Sequence, residues 1–132
     1  MTEENDPRIL KLREMREKAM LGGGQSRIDK QHAKGKKTAR ERIGLLLDQG
    51  TFHELDQFIT SQGLGDGFEN VLGDGVVTGY GRINGRLVYL YAQDFTVQGG
   101  ALGEMHGQKI CRAMDLARPS IFHAVRFHSA FK

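Results

Sequence analysis

The sequence predicts a mixed α/β domain with an N-terminal helical arm, and three observations carry that prediction. An Asn84-Gly85 pair joins two runs of β-forming side chains, two helices near the N-terminus carry recognisable end signals, and a third helical stripe follows the hairpin. Asn-Gly is the preferred two-residue hairpin turn because both positions need positive φ. Tyr80 and Ile83 on one side, with Leu87 to Tyr91 on the other, supply the strands, predicted over Val76 to Ile83 and Arg86 to Ala92.

The first helix is framed by Asp6 as cap, Pro7 at its first position and the Gly22-Gly23-Gly24 run at its end. Ile9, Leu12, Met15 and Ala19 recur at helical spacing and give it one narrow apolar face. So thin a face, followed by a glycine hinge, needs a neighbouring chain or domain to pack on. Residues 25 to 37 show no apolar periodicity and many cations, so they are expected to form an extended arm. Thr38-Ala39-Arg40-Glu41 is a capping box, in which side chains satisfy two backbone N–H groups that the first turn leaves unpaired. A second helix therefore starts at Thr38, carries Ile43, Leu45, Leu46 and Leu47 on its apolar side, and ends at Asp48-Gln49-Gly50.

Thr51 to Ile59 reads as a short strand or a connector, and residues 61 to 75, with five glycines and three acidic residues, as an irregular loop. After the hairpin, Asp94-Phe95-Thr96-Val97 and a glycine pair lead into a helix from about Leu102 to Ala117. Its apolar positions are Leu102, Met105, Ile110, Ala113, Met114 and Ala117, and Pro119 disfavours helix at Arg118. The closing stretch, RPSIFHAVRFHSAFK, fits neither a strand with turn signals nor a capped helix.

Length and composition limit the function classes. With 132 residues the chain suffices for one small domain and is short for an enzyme with two substrate sites. Mean hydropathy is -0.45, and no apolar run reaches the roughly 18 residues of a membrane span. One cysteine, Cys111, excludes an internal disulfide and a cysteine-rich zinc site, so a cytoplasmic protein is expected. The net charge of +3 is unevenly spread, at +5 over residues 1 to 42, -5 over 43 to 98 and +3 over 99 to 132. The basic arm (Arg27, Lys30, Lys34, Lys36, Lys37, Arg40, Arg42) could hold a nucleic-acid backbone or a partner's acidic surface. No aromatic residues are interleaved with those cations, which disfavours nucleic acid.

Gln98 to Gly107 lies between a strand and a helix N-terminus, where unpaired N–H groups suit an oxyanion or a phosphate. Gly99, Gly100, Ala101, Leu102 and Gly103 are the candidate backbone site, against the plainer reading of a tight turn. Glu104 is expected to be solvated, His106 exposed or packed, and Cys111 a small core residue. His123 and His128 lack a third ligand, so no metal is expected.

Taken together, IDKQHAKGKKTARERIGLLLDQGTFHELDQF and GDGVVTGYGRINGRLVYLYAQDFTVQGGALGEMHGQKICRAMDLA resemble the start of an acyl-CoA carboxyltransferase β subunit of the propionyl-CoA and methylmalonyl-CoA branch. The resemblance runs from about residue 8 to 117. It implies a partial crotonase-type fold of ββα units, with residues 1–24 as arm and glycine hinge, 25–117 as the start of the N-terminal domain, and 118–132 as a tail outside the family pattern. The implied reaction moves a carboxyl group between carboxybiotin, on a biotin carboxylase or carrier subunit, and the α-carbon of an acyl-CoA. Further carboxyltransferase β subunits are implied partners. Backbone oxyanion holes do the stabilising in this family, in keeping with the candidate site at Gly99 to Gly103. Ala101, Gly107 and Gln49 stand where the family commonly has Ser, Ala and Pro. From Arg118 the resemblance ends, and a family loop of the form DSGGARIQEG does not follow, so the isolated chain is expected not to turn over.

Overall fold

The computed structural model describes residues 6–60, 71–120 and 124–127. Helices α1 (Pro7–Met20), α2 (Gln25–Ala33) and α3 (Ala39–Leu46) lead into strand β1 (His53–Leu55), the hairpin β2 (Val76–Ile83) and β3 (Arg86–Gln93), helix α4 (Glu104–Ala117) and strand β4 (Ala124–Phe127). The four strands form one sheet in the order β1-β2-β3-β4. The first two pairings are antiparallel, and β4 joins β3 in parallel, Tyr89 opposite Ala124, after the crossover through α4. Hairpin plus α4 is one ββα unit, the fold element expected of a crotonase-type domain.

The hairpin turn sits where the sequence puts it, with φ of 50° at Asn84 and 78° at Gly85. Its two N–H groups donate to the Asp48 carboxylate at 2.9 and 2.8 Å, so the residue expected only to end α3 also closes the hairpin. The capping box at Thr38 is complete. In α1, Asp6 accepts from the Arg8 N–H at 2.8 Å, and of the predicted stripe Ala19 is buried, Ile9 and Met15 are half-buried and Leu12 is exposed.

Four successive residues of β2, Val76 to Gly79, are buried, which requires cover on both sheet faces. On one face, Ala39, Ile43 and Leu47 of the α3 segment pack with Val77, Leu90 and Ala92. Leu45, predicted on that apolar side, points to solvent. On the other face α4 contacts β2 and β3 and buries His106, Lys109, Ala113 and Ala117. The predicted stripe of α4 is therefore half right: Leu102 and Met114 are exposed, and two polar residues take the central inward positions.

Three expectations are corrected. Residues 25–33 are helical, not extended: Gln, Arg and Lys have good intrinsic helix propensity without any apolar stripe, and Gln25 Nε2 donates to the Asp29 carboxylate at 2.8 Å one turn on. Cys111 is exposed, because it lies on the outer side of α4, away from the His106–Lys109–Ala113 line. The closing stretch contains β4, whose backbone is paired by the sheet edge of β3, a tertiary partner that no local signal reports. The predicted loop over 61–75 falls largely outside the described residues, as do His123 and His128. Its described end forms a bridge from Leu72 to Thr60.

Candidate functional site

β3 ends at Gln93, and the chain turns through Asp94 to Val97 into a 3-10 turn at Gln98–Gly100 before α4 begins. Gln98, Gly99 and Gly100 are three consecutive left-handed residues, at φ 45°, 61° and 79°. Within the predicted site, Gly100 N–H donates to Val97 and Ala101 N–H to Gln98, so these two are consumed in the turn. The N–H groups of Gly99, Leu102, Gly103, Glu104 and Met105 find no acceptor among the described residues. Gly99, Ala101 and Leu102 are exposed and Gly103 is half-buried, which leaves the donors accessible at the amino end of α4.

The segment around this turn is anchored from three sides. Arg42 of α3, 8% exposed, donates from Nη2 to the Gln93 carbonyl at 2.7 Å and lies over the Phe95 ring at 5.7 Å. Burial lowers the pKa of this guanidinium, and the Asp94 carboxylate opposes that. Thr96 donates its hydroxyl to Asp94 at 2.6 Å and accepts the Gly23 N–H at 2.9 Å, which ties the glycine hinge to the turn. A Cβ on Gly23 would lie 1.9 Å from the Thr96 carbonyl oxygen, so only glycine allows that approach. Arg40 pairs with Glu54 at 2.6 Å and donates to the carbonyl of Ala19 at 3.2 Å, joining α3 to β1 and to the end of α1. Two of the seven arm cations are thus internal ties and not available to grip a nucleic-acid backbone.

The third anchor lies beneath α4 and was not foreseen. Asp74, with φ of 47°, accepts the His106 N–H at 2.8 Å and so caps α4 from outside, while Gly103 offers no side-chain cap. The Asp74 carbonyl faces His106 Nδ1 at 3.0 Å; a carbonyl only accepts, so Nδ1 carries the proton and the lone pair sits on Nε2. His106 is fully buried, and burial lowers its pKa against the opposing hydrogen bond from Asp74. Lys109, 1% exposed, donates to the carbonyls of Gly73 and Val76 at 2.8 and 2.6 Å, and burial brings its pKa down to about 8. A signal existed in Gly73-Asp74-Gly75, whose three residues all take positive φ, but nothing local links it to residues 106 and 109. Glu104 is exposed, as expected.

Residues 30–127 match the sequence profile of the carboxyl transferase domain. The chain belongs to that family. It is 54% identical over 112 residues to the methylmalonyl-CoA decarboxylase subunit alpha of Propionigenium modestum, a match covering 83% of this chain and 22% of the relative. It is 58% identical over 106 residues to the mitochondrial propionyl-CoA carboxylase beta chain of Homo sapiens, covering 77% of this chain and 20% of that one. Among solved structures, the transcarboxylase 12S hexamer with methylmalonyl-coenzyme A and methylmalonic acid bound superposes with a TM-score of 0.88 at 39% identity. That superposition covers 99% of this chain and 26% of the other. The chain thus spans about a fifth of the length of the curated relatives it matches. The profile continues to residue 127, through β4, beyond Arg118 where the motif resemblance ends. No helix among the described residues is long and apolar enough to cross a membrane.

Proposed function

We propose that these residues form part of the site of a biotin-dependent acyl-CoA carboxyltransferase, moving a carboxyl group between carboxybiotin and the α-carbon of a short acyl-CoA such as propionyl-CoA. The observation that carries the reading is the set of N–H groups at Gly99, Leu102 and Gly103 that find no acceptor among the described residues, within a chain whose residues 30–127 match the carboxyl transferase domain. When the α-carbon gives up its proton, negative charge develops on the thioester oxygen. Fixed N–H donors aimed at that oxygen stabilise the enolate without reorganising, and the positive end of α4 adds to their field. Biotin, carried on a biotin carboxylase or carrier subunit, supplies the activated carboxyl group. Further carboxyltransferase subunits complete the assembly in this reading. Within it, Gly99, Gly100, Ala101, Leu102 and Gly103 line the acyl-CoA, with Gly100 and Ala101 shaping the turn and the other three donating. The exposed thiol of Cys111 suits the reducing cytoplasm, where we place the protein.

The test uses a pantetheine thioester analogue whose acyl part is a nitronate, an anionic mimic of the enolate that carries no phosphate. It should move the backbone amide resonances of Gly99, Leu102 and Gly103 and bind more tightly than the neutral propionyl thioester, because donors placed for the enolate favour the charged form. Unmoved amides at those residues, or equal binding of both compounds, refute the assignment.

A further inference from the structure

Leu102 and Gly103 carry two of the proposed donors on a stretch with little of its own to hold it. Leu102 is 68% exposed, and the N–H groups of both residues find no acceptor among the described residues. Their direction is therefore set from the two ends. The downstream end is α4, which Asp74 caps at His106. The upstream end is Gly100, the last of the three left-handed residues, and it meets Phe95: a Cβ on Gly100 would lie 3.0 Å from both Cδ1 and Cε1 of that ring. The Gln93 side-chain amide donates to the Gly100 carbonyl at 3.4 Å, a long hydrogen bond from the residue that ends β3. Within the turn Gln98 holds a left-handed φ of 45° without being glycine, a conformation that persists only where its surroundings impose it. Both neighbours of Gly100 lead back to one side chain. The Arg42 guanidinium lies over the Phe95 ring, 5.7 Å from its centroid, and donates to the Gln93 carbonyl at 2.7 Å. Packing alone does not account for it, because its Nη1 is buried without an acceptor among the described residues. A buried, partly satisfied guanidinium costs stability that an apolar side chain of similar volume would not. What it supplies is direction, since one planar group fixes a carbonyl and a ring together.

We infer that Phe95 is a positioning residue for the proposed carboxyl transfer: its ring, set by the Arg42 guanidinium and touching Gly100, holds the left-handed turn and so aims the Leu102 and Gly103 N–H groups at the thioester oxygen. Gln93 supports the same turn through the Gly100 carbonyl. The ring acts through Gly100 and carries no group that the reaction needs. The inference rests on the reading of Leu102 and Gly103 as enolate donors and names what points them. Hydrogen bonds weaken steeply when bent, and a bond to an anion loses more than a bond to a neutral carbonyl. A loosened turn therefore costs discrimination between the charged and neutral forms before it costs binding as such.

The experiment measures, for the 132-residue chain and its variants, the ratio of affinities for the nitronate and the neutral propionyl thioesters of pantetheine. Phe95→Leu keeps an apolar side chain and removes the ring. It should lower the ratio roughly tenfold, the size of one charged hydrogen bond turned out of line, and leave the neutral thioester within roughly twofold. Phe95→Tyr keeps the ring and should keep the ratio of the unaltered chain. Gln93→Met, at a half-buried position, should lower the ratio by roughly threefold, as one weak neutral hydrogen bond warrants, and it decides the matter if Phe95→Leu does not fold. A side chain that only stabilises the fold would lower the urea midpoint and leave the ratio of the folded protein unchanged. A preserved ratio in folded Phe95→Leu, or in Gln93→Met where Phe95→Leu does not fold, therefore overturns the proposal, as does a ratio that Phe95→Tyr fails to keep. No preference for the nitronate in the unaltered chain means that the reading of the donors has failed, and the proposal falls with it. A preference that the variants retain removes the positioning role alone.

Discussion

Lys109 carries a pH dependence that can be worked from its surroundings. In the unfolded chain its amine has the ordinary pKa of 10.5, and in the fold burial lowers it to about 8, with the carboxylates of Glu54 and Asp56 opposing the shift. Below pH 8 both states hold the proton, and the cost of the desolvated charge is fully present. Between pH 8 and 10.5 the folded protein has shed the proton while the unfolded chain keeps it, so stability rises with pH across that window. The gap of about 2.5 corresponds to a gain of about 3 kcal/mol when the window is crossed. The neutral amine still has two N–H bonds, enough for the carbonyls of Gly73 and Val76, so deprotonation sacrifices neither contact. Lys109→Met removes the titrating group at nearly constant length. Urea midpoints taken at pH 7, 8, 9 and 10 should therefore climb more steeply for the unaltered chain than for the variant. Parallel profiles refute the reasoning, as does a Lys109 side-chain carbon resonance that titrates near 10.5.

Gly23→Ala should loosen the arm, since its Cβ would lie 1.9 Å from a backbone oxygen that has no rotamer to yield; we expect a loss of about 1–3 kcal/mol and faster proteolysis at residues 21–25. Unchanged cleavage there would show that the hinge does not depend on the Thr96 contact. Thr38→Ala should destabilise the fold by about 1 kcal/mol, read as a lower urea midpoint. It should leave the Glu41 carboxyl below its usual value in a pH titration followed by NMR, because the backbone N–H of residue 38 that chiefly holds it there survives the substitution.

The elements legible in the sequence are those whose signals are local. The capping box at Thr38, the Asp6-Pro7 start and the Asn84-Gly85 turn each fix backbone conformation within four residues, and all three stand where expected. Helix α2 carries no such local signal, because a helix held by propensity, a Gln25–Asp29 bond and a docked glycine hinge has no apolar stripe. β4 was missed because its partner is β3, more than thirty residues earlier, across a helix. The left-handed turn at Gln98–Gly100 was legible through its glycines. Its supports were not: Asp74 meets His106, and Arg42 meets Gln93, only after the chain has folded.

The polar contacts under α4 also bear on positional precision. A helix resting on the sheet through leucines alone can slide or rotate by a fraction of a turn, because apolar contact is nearly indifferent to direction. Lys109 reaching two named carbonyls and Asp74 gripping the His106 N–H leave no such freedom, since hydrogen bonds lose strength steeply when displaced or bent. The helix is therefore indexed to the start of β2 like a shaft keyed to its hub. Donors at its tip inherit that register, and an oxyanion would meet them at a position set by the sheet itself.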